Sequence, residues 1–225
     1  MPVFKPTLGQ LPDMFAVFPL GGALLLPGGH LPLNIFEPRY LAMIEDCMGE
    51  GRYVGMVQPD PRLPEGENGP GLYRVGCLGR VSSFAETDDG RFLLTLTGVI
   101  RFTIVEELEM RRGYRRVQAG LNGFAPDLRE ADGEGGLPMS RDALVAAMRG
   151  YFAAMGISET NWRALLTVND AALVNALAMA CPFTNEEKQA LLEARDLGAR
   201  AAALYALLRI DSFDGGTGGN APRLS

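Results

Sequence analysis

The sequence predicts an α+β chain, with a β-rich lobe over residues 1–124 followed by an α-helical bundle over 140–213. Three observations carry this prediction. Between Phe15 and Phe124, short apolar runs of strand type alternate with Gly, Pro and Asp-Gly turn signals. Residues 125–139, APDLREADGEGGLPM, shift to Pro, Gly and acidic residues and read as a linker. Beyond Ser140, apolar residues recur at helical spacing behind residues that cap helices.

In chain order, residues 1–13 read as an arm that becomes ordered near Leu11. Phe15 to Leu20 is a compact strand closed by Gly21-Gly22, and Leu24-Leu25-Leu26 is a second short one. The stretch Leu26–Tyr40, LPGGHLPLNIFEPRY, is the centre of the lobe. His30 to Phe36 reads as a strand whose Pro32 places it at an edge or bulge. Glu37-Pro38-Arg39-Tyr40 reads as a helix start, with proline at the first helical position and Glu37 at the positive end of the dipole. Tyr40, Leu41, Ile44, Cys47 and Met48 continue the helix, and Gly49 is the expected C-cap.

Tyr53–Val57 is a further strand, and the loop over 58–71 is longer than usual connections, so it reads as functional or mobile. Val75–Phe84 and Arg91–Glu106 flank Thr87-Asp88-Asp89-Gly90, a hairpin signal because a type I′ turn needs positive φ. Gly98 interrupts the alternation and predicts a bulge or bend. Tyr114–Phe124 supplies the last strand. In the second half, Ser140, Ser158, Asn169 or Asp170, and Thr184 with Glu187 open successive helices. A final helix spans Asp196–Phe213, and the tail over 214–225, DGGTGGNAPRLS, is expected to be disordered.

Composition excludes several functions. A net charge of −6 and a pI near 4.9 oppose generic binding to nucleic acid phosphates or to an anionic membrane. Lys5 and Lys188 are the sole lysines, and neither sits in G-x-x-x-x-G-K-[ST] or beside a serine nucleophile; Lys188 follows two glutamates on what reads as a surface helix. No G-x-S-x-G elbow exists, and one histidine with three scattered cysteines supplies no zinc site. Cys47, Cys77 and Cys181 read as buried free thiols, which fits a reducing compartment. No signal peptide or apolar span is apparent, so a cytoplasmic location is expected.

His30 reads as a polar residue opening a strand rather than a base or ligand. Glu37, Arg39 and Tyr40 read as a structural corner in which the arginine fork locks the chain. Arg111, Arg112, Arg115 and Arg116 flank Gly113-Tyr114 at a hairpin tip and are the candidate contacts for an alternative, RNA-binding reading. The favoured surface is one for polypeptide. The proline-interrupted strands around Phe18 and Leu20 and around Leu31, Leu33 and Phe36 are expected at an edge, where unpaired backbone groups and apolar side chains meet an extended peptide.

These residues carry a family resemblance. Phe18-Pro19-Leu20, Leu26-Pro27-Gly28 and Leu31-Pro32-Leu33-Asn34-Ile35-Phe36-Glu37-Pro38-Arg39-Tyr40 resemble the signature of the Lon protease N-terminal, substrate-binding domain. Gly55-Met56-Val57, Val75-Gly76-Cys77, Asp89-Gly90-Arg91-Phe92 and Gly98-Val99-Ile100-Arg101-Phe102 resemble its later segments in order, and Glu186–Glu193 resembles its E-K-Q-x-L-L-E helix. The resemblance covers about residues 11–210. It implies a PUA-like pseudo-barrel followed by a helical bundle, and recognition of unfolded or tagged proteins. No ATPase or Ser–Lys peptidase follows the bundle, so the chain is read as a stand-alone, non-catalytic form of the domain. It is expected to use no cofactor or metal and to bind unfolded or apolar polypeptide segments as an adaptor in protein quality control, with binding of RNA through the PUA-like lobe as the alternative.

Overall fold

A computed structural model describes residues 6–130, 137–158 and 162–214. Its strands are β1 (Met14–Pro19), β2 (His30–Ile35), β3 (Tyr53–Val57), β4 (Val75–Glu86), β5 (Phe92–Arg111) and β6 (Tyr114–Gly120). Its helices are α1 (Pro38–Gly49), α2 (Asp127–Glu130), α3 (Arg141–Ala154), α4 (Asp170–Ala180), α5 (Asn185–Glu193) and α6 (Leu197–Asp214), with a 3-10 turn over Arg163–Thr167 before α4. The α+β class and the order of β lobe and helices follow the sequence. The expected tail lies outside the described residues, apart from Asp214 at the end of α6.

The strands join in the order β2-β5-β4-β3-β1-β6, and β6 pairs back onto β5. Along one edge, β5 pairs antiparallel with β4. Along the other, its first part pairs with β2 (His30↔Thr97 to Ile35↔Phe92) and its later part with β6 (Thr103↔Gly120 onward). The sheet therefore closes on itself, and β2 remains as a strand with one open edge.

Period-two alternation explains how the sheet buries both faces. Phe15 and Val17 of β1 point into a cluster with Leu78, Ile100, Phe102 and Val117 that fills the barrel. Ala16 and Phe18 point the other way, into a larger cluster shared with Leu26, Tyr40 and Met43. That second cluster also takes Leu144, Leu173, Leu177 and Leu204 from α3, α4 and α6, so sheet and helices share one core. The expected edge position of Phe18-Pro19-Leu20 is corrected by this pairing. β1 lies between β3 and β6, with Phe18 opposite Met56.

Three other expectations change. Leu24-Leu25-Leu26 is buried but not a strand, because it has no ladder partner and leads straight into the turn at Pro27-Gly28. Helix α1 runs through Gly49, and the left-handed positions fall later, at Gly51 (φ 89°) and Arg52 (φ 70°). Lys188 is buried rather than on a surface face. Its Nζ donates to the Gly22 carbonyl at 2.5 Å, and burial holds its ammonium below the usual lysine range.

The tie between the lobes is an ion pair. Arg101 of β5 is 1 % exposed, and it grips the fully buried Asp127 through Nε and Nη2 at 2.9 and 2.7 Å. The Arg101 backbone N–H also donates to Asp127, at 2.9 Å. From the other side, Arg101 Nη1 donates to the carbonyls of Leu192 (3.0 Å) and Ala194 beyond α5. Removing one partner of such a pair strands a buried charge, which costs about 3–5 kcal/mol. Arg101→Met should accordingly lose about 3–5 kcal/mol in urea unfolding, and Arg101→Met combined with Asp127→Leu should recover most of it. Equal losses in the single and double variants would show that charge pairing is not what the site contributes.

Candidate functional groove

The groove begins with a turn. Leu26-Pro27-Gly28-Gly29 folds back with Gly29 N–H donating to the Leu26 carbonyl at 2.8 Å, and Gly28 has φ 76°. Proline then glycine in that conformation is what a type II turn requires. The turn is sewn to β5 at the predicted bulge: Gly28 N–H donates to Gly98 O, and Gly98 N–H donates to Gly29 O, each at 2.9 Å. A Cβ at Gly98 would stand 2.0 Å from the Leu26 carbonyl oxygen, so a glycine there is needed for this close approach.

On the far side, α4 faces the turn. Its N-cap Asn169 accepts from Ala172 N–H at 2.8 Å, which sets where the helix begins and which face turns inward. Ala171, Ala172, Asn175, Ala176 and Met179 recur at helical spacing along the groove wall. Asn175 bridges to the opposite wall, its Nδ2 donating to the Pro27 carbonyl at 2.9 Å while its Oδ1 accepts from Arg200 Nη1 at 3.2 Å. Between these walls lies a groove of about 620 Å³, closed at its β side by Gly28 to Pro32 at the start of β2. This volume falls within the usual range for ligand sites.

The predicted contact residues separate. Phe18 is 7 % exposed and stacks on Tyr40 with ring centroids 4.3 Å apart, so it belongs to the core. Leu20 and Leu33 are half-buried against that core. Leu31 lines the groove, and Leu33 lies further along β2 beside a shallower depression with Pro32, Asn34, Ala85 and Leu93. Phe36 is 60 % exposed just past β2, with the Arg91 guanidinium 5.9 Å from its ring. His30 is exposed, and its Nδ1 lies 3.0 Å from the Thr97 hydroxyl.

The structure brings Glu37, Arg39 and Tyr40 together. Arg39 donates from Nε and Nη2 to Glu37 at 3.1 and 2.9 Å and lies 4.6 Å from the Tyr40 ring. Both charged side chains are about half exposed, and a surface pair of this kind contributes roughly 0–1 kcal/mol. The buried ring of Tyr40 is the part of this corner that joins the core.

The arginines of the hairpin tip are mostly engaged. Arg112 (φ 48°) and Gly113 (φ 84°) form the β5–β6 turn, and the tip closes on α1. Arg111 pairs with Asp46 and Glu50, Arg112 with Glu45 and Asp46, and Tyr114 donates to Asp46 at 2.7 Å. Arg115 pairs with Glu107 and donates to the Pro70 carbonyl. Among the described residues, no cluster of three or more metal-ligating side chains occurs, and no helix is long and apolar enough to cross a membrane.

Sequence reasoning missed the α4 wall and the role of Asn175. The available signal was a lone carboxamide within an otherwise apolar helix, Asp170–Ala180.

Residues 14–209 match the family model of the ATP-dependent protease La (LON) substrate-binding domain. Lon protease 2 of Myxococcus xanthus is 24% identical over 200 residues, which is 88% of this chain and 24% of that protein. Lon protease 2 of Sorangium cellulosum is 26% identical over 205 residues, 87% of this chain and again 24% of the relative. The chain spans about a quarter of the length of these curated relatives. Among solved structures, the Lon N-terminal domain protein from Xanthomonas campestris superposes with a TM-score of 0.61 at 24% identity, covering 86% of this chain and 97% of that one. The N-terminal domain of the Mycobacterium avium complex Lon protease gives 0.55 at 16% identity, covering 87% and 97%. At these identities the likeness is one of fold.

The hairpin clasp has a pH signature. Burial pushes the Asp46 carboxyl up, but hydrogen bonds from Tyr114 and Arg112 and the charges of Arg111 and Arg112 outweigh it and hold the carboxyl below its usual range. A carboxyl depressed on folding stabilises the fold above its unfolded pKa, and that contribution fades as acid protonates it. The gap in melting temperature between the native protein and Asp46→Asn should be widest near neutral pH and shrink below about pH 4. In the same measurement at neutral pH, Arg39→Ala should cost less than about 1 kcal/mol.

Proposed function

We propose that this chain, which belongs to the family of ATP-dependent protease La (LON) substrate-binding domains, is a non-catalytic module that holds unfolded or apolar polypeptide segments. The observation that carries this reading is the groove between the start of β2 and α4. One wall is a strand with an open edge, which offers main-chain partners to an extended segment. The other is an apolar helix face of small side chains, which leaves room for that segment's own side chains.

Leu31 in the groove, with Leu33 and Phe36 further along, would continue the apolar track beyond it. No nucleophile, base or metal is asked for, because holding a segment needs burial and backbone pairing alone. Binding of this kind suits an adaptor role in protein quality control. The RNA reading is less favoured, since Arg111, Arg112 and Arg115 already pair with carboxylates, and neutralising phosphates would require giving up those pairs.

The test is fluorescence anisotropy with reduced, carboxymethylated lactalbumin and with end-capped apolar peptides. Binding should be of micromolar order, about −8 kcal/mol. Ala172→Phe places a ring in the groove from an exposed position on α4 and should weaken binding about tenfold or more while the melting temperature holds. Binding unchanged by that substitution would move the site elsewhere, and no binding across the panel would end the reading.

A further inference from the structure

Asn175 has a hydrogen bond left to give. It is 9 % exposed and is the one carboxamide lining the groove. Its oxygen is engaged by Arg200, and one hydrogen of Nδ2 is engaged by the Pro27 carbonyl. The second Nδ2 hydrogen has no acceptor among the described residues. A carboxamide hydrogen with no protein acceptor, on a residue that lines the groove, offers its bond to an occupant that brings an acceptor to this point.

Charge narrows the occupant. No carboxylate, guanidinium or ammonium lines the groove, although the whole chain carries a net charge of −6. A charged side chain entering would shed hydration with no carboxylate, guanidinium or ammonium to meet it, His30 at the β side being the titratable residue of the lining, whereas a neutral one loses nothing of that kind. An acceptor that needs no charge and recurs along any sequence is the peptide carbonyl. An extended segment bears carbonyls on both edges. If one edge pairs with β2, the other faces α4, where Asn175 is the polar group available.

We propose that Asn175 is a specificity-determining residue of the groove, donating its second amide hydrogen to a main-chain carbonyl of an uncharged, extended polypeptide segment. This rests on the peptide-binding reading above. It assigns selection to backbone geometry at one fixed point, with the apolar walls tolerant of side-chain identity. A segment that is extended and uncharged at that point is retained, and a helix is refused because its carbonyls are already spent within its own turns.

The probe is a fluorescein-labelled, end-capped octapeptide of Val, Leu and Ser, together with a set in which each peptide bond in turn is replaced by an ester. An ester removes one backbone N–H and weakens the carbonyl as an acceptor while leaving the side chains in place, and the comparison with Asn175→Ala separates the two effects. One ester position should weaken binding to the native protein about fivefold, and the same ester should cost little further in Asn175→Ala. Because Asn175 also fastens Pro27 and Arg200, the native protein supplies a second readout that needs no variant. Of the two Nδ2 proton resonances of Asn175, one should shift downfield with the parent peptide and stay in place with the critical ester. Binding that Ala172→Phe blocks, with a Nδ2 resonance that never moves or with ester costs fully additive to Asn175→Ala, overturns the role of Asn175 and leaves the groove standing. Absence of binding to the native protein overturns both.

Discussion

The Arg101–Asp127 pair is the constraint on which the rest of this structure depends. Arg101 sits in the strand that contacts β2, β4 and β6, so its backbone is held by the sheet. Its guanidinium reaches past the sheet to Asp127 on one side and to the Leu192 and Ala194 carbonyls at the end of α5 on the other. Three distant segments therefore converge on one side chain. Desolvating such a pair is expensive, and its attraction repays the cost only when the remaining donors and acceptors are also met. Here they are met by backbone carbonyls, which cannot ionise or turn away. The pair thus sets where α5 ends relative to β5, and through α5 and α6 it sets where α4 stands.

That position of α4 makes the groove. Arg200 of α6 donates to the Leu191 carbonyl and to Asn175, and Asn175 donates to Pro27. A chain of hydrogen bonds thus runs from the end of α5 through two helices to the turn that opens β2. A second line of contacts lies nearby, where Gln58 donates to Gln189 and to the Asn185 carbonyl, and Asn185 accepts from Gly22. The β lobe and the helices meet through buried amides and guanidiniums as well as through leucines. Polar contacts of this sort require one alignment, whereas an apolar interface tolerates several.

The features that were legible in the sequence are those whose causes lie close along the chain. Alternation marked the strands, and Asp89-Gly90 marked the hairpin, although Gly90 alone is left-handed there and the turn is not the expected type I′. Ser140, Asn169 and Thr184 marked helix starts that the structure shows as side-chain caps. Gly98 was readable as a bulge. Its purpose was not, since the Leu26 carbonyl that requires it belongs to another part of the chain. Asp127 lay in a stretch of Pro, Gly and acidic residues, where a buried anion and a solvated one look alike. Phe18 was assigned to an edge because proline follows it, yet Pro19 ends β1, where the lost N–H disturbs little. Half of the groove, the LPGGHLP stretch, drew notice through its turn residues. The other half is mostly alanines on α4, which carry no signal until a partner is placed opposite them, Asn175 being the one polar exception.

The closed sheet bears on how the molecule comes into being. Met14 pairs with Gln118, and the parallel contact of β1 with β3 needs an intervening helix, so almost nothing in β1 is satisfied by near neighbours. Loop closure must be met before such distant pairings reward it, and non-local sheets fold slowly for that reason. On a ribosome, β1 emerges first and waits for β6, the last strand made. In that interval Phe15, Val17 and Phe18 stand without their partners. A domain of the LON substrate-binding family thus begins as an unfolded segment itself, with an apolar strand exposed until the chain has been made past residue 120.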